Sequence, residues 1–276
     1  MGRHQQHEFQ QQKIETMRFG RGSTNPHYTT PQHSGIEIND NIKDLGIYMS
    51  TSLKFDYHIK TIAAKGQKMA GWALRTFKTR NTRTMLTLLK SIIISQTEYC
   101  SPLWSPSDSY NINLLENVQK RFTSKFAKFQ TYDMDLQMPI CSVSYQERLQ
   151  MLQLFSLQRR RERYIIMYMY KIIIHMVPNP GFKIEYKRNA FHVTPIQNLR
   201  TPAWIQTLRR NSFFVIDPRL YNKLPTHLKQ LEDFHIPEKK HSDAFKRKLG
   251  RYLTTIPVIP GTLQNSLMKK KGKEIY

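Results

Sequence analysis

The stretch that decides the fold is residues 58–77, HIKTIAAKGQKMAGWALRTF. Its apolar and small residues recur at spacings of three and four, which is the period of one face of an α-helix. The spacing predicts a helix of about five turns that begins at His58. The face predicted to be buried consists of Ile59, Ile62, Ala63, Gly66, Met69, Ala70, Ala73, Leu74 and Phe77.

The same helical period predicts further helices downstream. One begins with Asn81 or Thr82 as its N-cap and is stopped by Pro102 and Pro106. The next begins at Asp108, because an aspartate side chain can accept a hydrogen bond from the first free N–H groups of a helix.

Two more helical segments follow, and a hairpin precedes all of them. Residues 145–177 read as one long helix or two, broken near Phe155, and residues 242–253 read as a capped amphipathic helix. Upstream, the apolar alternation around residues 39–41, Asn-Asp-Asn, predicts a β-hairpin. We therefore expect a mainly α (α+β) fold, with small β contributions near residues 14–50 and 185–217.

Composition restricts the functional class. The 276 residues carry 43 Lys plus Arg against 20 Asp plus Glu, a formal net charge of +23. An enzyme for a small neutral substrate does not need this excess, so we expect a polyanionic partner, nucleic acid first and an anionic membrane surface second. The N-terminus has no apolar signal segment, and Cys100 and Cys141 form no CxxC pair, so we expect an intracellular protein with reduced thiols.

The positive charge is concentrated in residues 54–90. This segment has one acid, Asp56, and nine basic residues: Lys54, Lys60, Lys65, Lys68, Arg75, Lys78, Arg80, Arg83 and Lys90. A helix face kept soluble for its own sake normally mixes both signs, so a phosphate-binding face is favoured here over a merely solvated one. Gly66 and Gly71 are interpreted as places where a nucleic-acid backbone could approach closely.

A second basic cluster, residues 159–163 with the sequence RRRER, leaves two interpretations open. It is either a further binding patch or the exposed start of a buried helix.

Sequence motifs for catalysis are missing. The chain has no Asp-Asp pair, HExxH, GxSxG, P-loop or GxGxxG motif. Asp133 and Asp135 make only a weak metal site. We therefore predict no catalytic residues, no metal site and no cofactor in this chain.

The order of several motifs resembles one family, the reverse transcriptases of non-LTR (LINE-type, jockey- and CR1-like) retrotransposons, in the region after the catalytic palm motifs. The matching segments are MRFGR (17–21), IKDLGIYMSTSLKFDYHI (42–59), TFKTRN (76–81), EYCSPLWSP (98–106), LLENVQKRFTSKF (114–126), SYQERLQMLQLFSLQRRR (144–161), RNSFFVIDPRLYNKLP (210–225) and SDAFKRKLGRYL (242–253). The usual Leu-Trp-Asn is here Leu220-Tyr221-Asn222.

Residues 1–13 are polar and Gln-rich and read as a disordered leader, and they do not match the family. The resemblance implies the order of the domains that follow: 14–57 would be the end of the palm with its β-hairpin, and 58–143 a helical thumb-like domain. Residues 144–256 would be a post-thumb domain of mixed helical and extended structure, followed by a basic tail at 257–276.

The resemblance also implies roles. The chain would be a truncated RNA-directed DNA polymerase without its palm aspartates, inactive alone, with Mg²⁺ expected only in an intact family member. It would contact the backbone of an RNA or DNA template-primer, and neither a membrane nor a small-molecule substrate. The expected contacts are Lys60, Lys65, Lys68, Arg75, Lys78, Arg80, Arg83, Lys120 and Arg121, with a primer-grip-like segment at Met17, Arg18, Phe19 and Gly20.

Two alternatives stay open from the residues themselves. The chain could be a basic helical interaction module that binds an acidic protein partner, or a non-functional retroelement relic.

Overall fold

The computed structural model describes residues 14–19, 35–36, 38–79, 81–126, 143–178, 220–221, 224–229 and 238–256. The chain divides into two compact units, residues 1–58 and residues 59–276. The β contribution predicted near residues 185–217, the leader and the basic tail lie outside the described residues. The fold is mainly helical, with a two-stranded antiparallel hairpin ahead of the helices.

The hairpin of the first unit consists of β1 (Asn41–Asp44) and β2 (Ile47–Ser50). Asn41 pairs with Ser50 and Asp44 with Ile47, so the chain reverses at Leu45 and Gly46. Both turn residues have positive φ, 45° and 87°, as the tight two-residue turns that match strand twist require. The predicted turn at residues 39–41 is wrong, because apolar alternation sets the faces of a strand but does not mark where it ends.

Helix α1 (Asp56–Thr76) begins two residues before the predicted start. Asp56 lies in its first turn and Arg75 in its last, which complements the helix dipole. The predicted face is confirmed: Ile59, Ala63, Gly66, Ala70 and Ala73 are buried, and the other members are partly buried.

His58 lies in the first turn of α1. Its side chain is buried, and Nδ1 accepts a hydrogen bond from the Tyr48 N–H at 3.3 Å. Burial lowers the pKa of His58 because it disfavours the charged imidazolium.

The second helical segment consists of α2 (Thr82–Leu88), a π-helical stretch (Leu89–Ile94) and α3 (Ser95–Glu98). Asn81 is the N-cap, since its side chain accepts a hydrogen bond from the Arg83 N–H at 2.9 Å. The helix ends at Tyr99 and Cys100 rather than at a proline. Pro102 instead lies in the first turn of the short helix α4 (Ser101–Trp104), where its missing N–H is not needed.

Helices α5 (Ser109–Thr123), α6 (Tyr145–Met151) and α7 (Leu157–Ile173) complete the central part of the second unit. Asp108 caps α5 by accepting a hydrogen bond from the Asn111 N–H at 2.8 Å, as predicted. The expected break near Phe155 is confirmed, and Ser156 caps α7 on its far side.

The C-terminal core joins α7 to the short helix α8 (Thr226–Lys229) and to α9 (Glu238–Thr255). Tyr170 and Phe245 stack with ring centroids 3.8 Å apart. The helix α9 begins four residues before the predicted Ser242, which is buried within it. Among the helices described, none is both long and apolar enough to cross a bilayer.

Candidate nucleic-acid interface

The exposed side of α1 carries the basic residues that the sequence analysis singled out. Lys60, Lys65, Lys68 and Arg75 are all exposed, on the side opposite the buried Ile59, Ala63, Gly66, Ala70 and Ala73. At 3.6 residues per turn, the four basic positions fall within roughly 140° of the helix circumference and span roughly 22 Å of its axis. We call these four residues the α1 basic face.

The electrostatics of the α1 basic face are of one sign. Asp56, in the first turn, is the one acid in the helix, and it lies four positions before Lys60. Lys65, Lys68 and Arg75 therefore have no carboxylate at the i±3 and i±4 positions of α1 that could pair with them. Among the described residues, the structure gives no salt bridge to any of the four. Their charge is therefore presented to solvent.

Trp72 is a feature of this face that the sequence analysis did not single out. The side chain is 43% exposed, and its ring meets Phe77 edge-on with centroids 6.1 Å apart. An exposed aromatic beside cations can stack on a nucleic-acid base. The signal was present in the sequence, because Trp72 is out of phase with the apolar positions of the helix.

The other predicted contacts lie on separate elements. Lys78 is exposed after α1, Arg83 is exposed in the first turn of α2, and Lys120 and Arg121 are exposed in the last turn of α5. Cations at the C-terminal end of a helix also interact favourably with its dipole, so the position of the α5 pair has a structural explanation of its own. Arg80 lies outside the described residues.

The predicted primer-grip-like segment belongs to the first unit. Thr16 forms an isolated β-bridge with Ile38, and its carbonyl accepts a hydrogen bond from the Asn39 N–H at 2.8 Å. Met17 and Arg18 are partly buried and Phe19 is 51% exposed. Gly20 lies outside the described residues.

Gly66 does not provide a close approach for a nucleic-acid backbone. A Cβ atom at this position would lie 2.8 Å from Thr97 Cγ2 and 3.2 Å from Val118 Cγ1. Gly66 is therefore a contact between α1 and the two helical segments packed against it. Gly71 is different, since a Cβ atom there would approach only the guanidinium of Arg75, at 3.3 Å.

Three arginines of the second basic cluster, Arg159, Arg160 and Arg161, form neither a surface patch nor an exposed helix start, whereas Arg163 is partly buried beside α9. Arg159 and Arg161 are 0% and 1% exposed. Arg160 donates from Nε to Glu98 at 2.5 Å and from Nη2 to the same carboxylate at 2.8 Å. These three arginines are thus structural residues at the start of α7, and Arg160 joins this helix to a carboxylate 62 positions away in the sequence.

Glu116 of α5 completes this buried charged cluster. Its carboxylate accepts hydrogen bonds from the Tyr145 hydroxyl and from the backbone N–H groups of Leu157 and Gln158, at 3.2 and 3.4 Å. Burial raises the pKa of Glu116, and these hydrogen bonds and the charge of Arg161 oppose the rise. Glu116 therefore ties α5 to α6 and to the first turn of α7.

Groups that could hold a metal ion are also missing from the part of the chain that the structure describes. Within it, no three His, Cys, Asp or Glu side chains come together as a metal site.

Comparison of the chain with protein-family models, with curated proteins and with solved structures gives no match.

Proposed function

We propose that this chain binds the sugar–phosphate backbone of nucleic acid through the α1 basic face, without reading base sequence. This is the role expected of the thumb region of a non-LTR retrotransposon reverse transcriptase, the family that its motifs resemble. The observation that carries the proposal is the exposure of all four basic residues on the side of α1 opposite its buried face.

The two faces of α1 differ in their surroundings. The apolar face of α1 is packed, so the opposite face must meet solvent or a partner. Four like charges on it repel one another unless an anion neutralises them. A nucleic-acid strand offers a phosphate about every 3.4 Å of axis, so a row of cations roughly 22 Å long can contact several phosphates and release their condensed counterions.

The proposal is tested by removing charge from the face. The triple variant Lys60→Gln/Lys65→Gln/Lys68→Gln keeps three exposed side chains polar and removes three charges. The matched control is Lys43→Gln/Lys90→Gln/Lys125→Gln, since these lysines are also exposed and lie on neither α1 nor α9. Binding to a fluorescent RNA–DNA hybrid is measured by anisotropy between 50 and 300 mM salt.

We expect the logarithm of affinity to fall linearly with the logarithm of salt concentration, at about 0.9 per phosphate neutralised for a duplex. The face variant should flatten that slope by about two to three, and the control variant should leave it within about one. Equal slopes for both variants would remove the α1 basic face from the interface. Equal affinity of the wild-type chain for polyglutamate and for the hybrid would instead support an acidic protein partner.

A further inference from the structure

A second basic surface lies within the second unit, between α7 and α9. Arg163 belongs to the second basic cluster of the sequence, and the sequence pattern did not connect it with α9. The two helices border a groove of about 670 Å³. Its basic residues are Arg163 from α7 and Lys246, Arg247 and Arg251 from α9, with one acid, Asp243. We call this the α7–α9 groove.

Arg163 is the residue of the groove whose side chain has an unpaired hydrogen-bond donor. The side chain is partly buried, and its Nε atom is buried with no hydrogen-bond partner among the described residues. Its Nη2 donates to the Lys246 carbonyl at 3.5 Å, which is a long hydrogen bond. Burial lowers the pKa of Arg163, and the neighbouring charge of Arg160 lowers it further, although Tyr164 acts in the opposite direction. A partly desolvated cation with unpaired donors is stabilised by an anion that binds beside it.

Gly250 of α9 lies beside the guanidinium of Arg163. A Cβ atom at residue 250 would lie 3.8 Å from Arg163 Nη2, which is an ordinary van der Waals contact. The exposed Lys246, Arg247 and Arg251 follow on the same helix. Cations from two helices therefore border one open channel.

The shape and charge of the groove favour an extended polyanion. Most of the residues that line it are exposed, so it is an open channel rather than a closed pocket for a small ligand. From Lys246 to Thr254 it follows α9 for roughly 12 Å, which matches about three phosphates of one strand. Three of its four cations are arginines, whose planar guanidinium groups bind phosphate oxygens in pairs.

We propose that the α7–α9 groove is a second phosphate-binding site, which holds the backbone of the nucleic acid that the α1 basic face contacts. This inference rests on the proposed function, since it takes the same class of ligand. The part of the Arg163 guanidinium that reaches the groove donates to a phosphate oxygen, and Arg247 and Arg251 bind the flanking phosphates.

The test uses the exposed pair Arg247→Gln/Arg251→Gln in the full chain, beside the α1 triple variant and the Lys43, Lys90 and Lys125 control. The hybrid affinity of the pair should fall on the order of tenfold, and its salt slope should flatten by about two. A second measurement follows the Nε–H resonance of Arg163 in ¹⁵N-labelled protein, assigned with Arg163→Lys, as the hybrid is added. That resonance should shift on binding.

The outcomes separate this inference from the proposed function. Hybrid binding that is weakened by the α1 variant but unchanged by the groove pair, with a static Arg163 resonance, overturns the groove and leaves the function standing. A loss with the groove pair but not with the α1 variant supports the groove and overturns the α1 basic face. If the groove pair weakens polyglutamate binding as much as hybrid binding, the groove is a site for an acidic protein and the inference is wrong.

Discussion

Gly66→Ala should destabilise the protein, although alanine is a far better helix former than glycine. An added Cβ atom would lie 2.8 Å from Thr97 Cγ2 and 3.2 Å from Val118 Cγ1. Carbon atoms prefer separations of about 3.5–4.0 Å, so at least one helix must move. Overpacking of this kind costs about 1–3 kcal/mol, whereas the helix propensity gain is about 1 kcal/mol. We expect a net loss of about 1 kcal/mol in the free energy of unfolding.

Gly71→Ala, in the same helix, is the matched control. Its Cβ atom would approach only the Arg75 guanidinium, at 3.3 Å, and the end of that flexible side chain can move away. The propensity gain then stands alone, and we expect a stabilisation of up to about 1 kcal/mol. The two variants make the same chemical change in one helix and should shift stability in opposite directions.

Urea denaturation followed by circular dichroism at 222 nm measures both variants. Binding to the RNA–DNA hybrid, below the unfolding transition, should be unchanged by Gly66→Ala. If that variant is as stable as Gly71→Ala, Gly66 does not pack against Thr97 and Val118. If it is stable and also binds the hybrid more weakly, Gly66 lies at the nucleic-acid interface, and the interpretation drawn from the sequence was correct.

Two further predictions concern the hairpin and the buried charged cluster. Leu45 is 82% exposed with φ 45°, a conformation that asparagine adopts readily and that β-branched residues disfavour. Leu45→Asn should therefore slow amide hydrogen exchange in β1 and β2, and Leu45→Val should accelerate it. Equal exchange rates in the two variants would contradict the turn. Glu116→Ala leaves the Tyr145 hydroxyl and the Leu157 N–H without their acceptor and should cost about 3 kcal/mol in urea denaturation, while Glu116→Gln keeps one acceptor oxygen and should cost much less. Burial raises the folded-state pKa of Glu116, so the folded state holds this proton more tightly than the unfolded state. The wild type should therefore lose stability, relative to Glu116→Gln, as pH rises from the ordinary carboxyl pKa through the raised one. If stability depends on pH equally in both proteins, burial does not raise the pKa of Glu116.

Much of the local structure could be predicted from the sequence. The buried face of α1 follows from spacing alone, and Asn81 and Asp108 are caps because their side chains reach N–H groups only two or three residues away. The exposure of Lys60, Lys65 and Lys68 follows from the same period, since a position opposite a packed face meets solvent. Each of these predictions depends on interactions within a few residues of chain.

The predictions that were wrong concern residues whose surroundings come from distant parts of the chain. Arginines in a row are usually at the surface. Here the carboxylates of Glu98 and Glu116, which come from other helices, offset part of the cost of burying the start of α7. Gly66 looked like an opening for a ligand until Thr97 and Val118 were placed against it.

The sequence by itself therefore determined where α1 lies, which side of it is apolar, and that its other side is basic. Only the tertiary structure decided which arginines are buried, what Gly66 packs against, and that Arg163 borders a groove with α9 residues more than 80 positions away. The physical reason is one of range. Helical period and capping are set by neighbours along the chain, whereas burial and charge pairing are set by whichever segments the fold brings together.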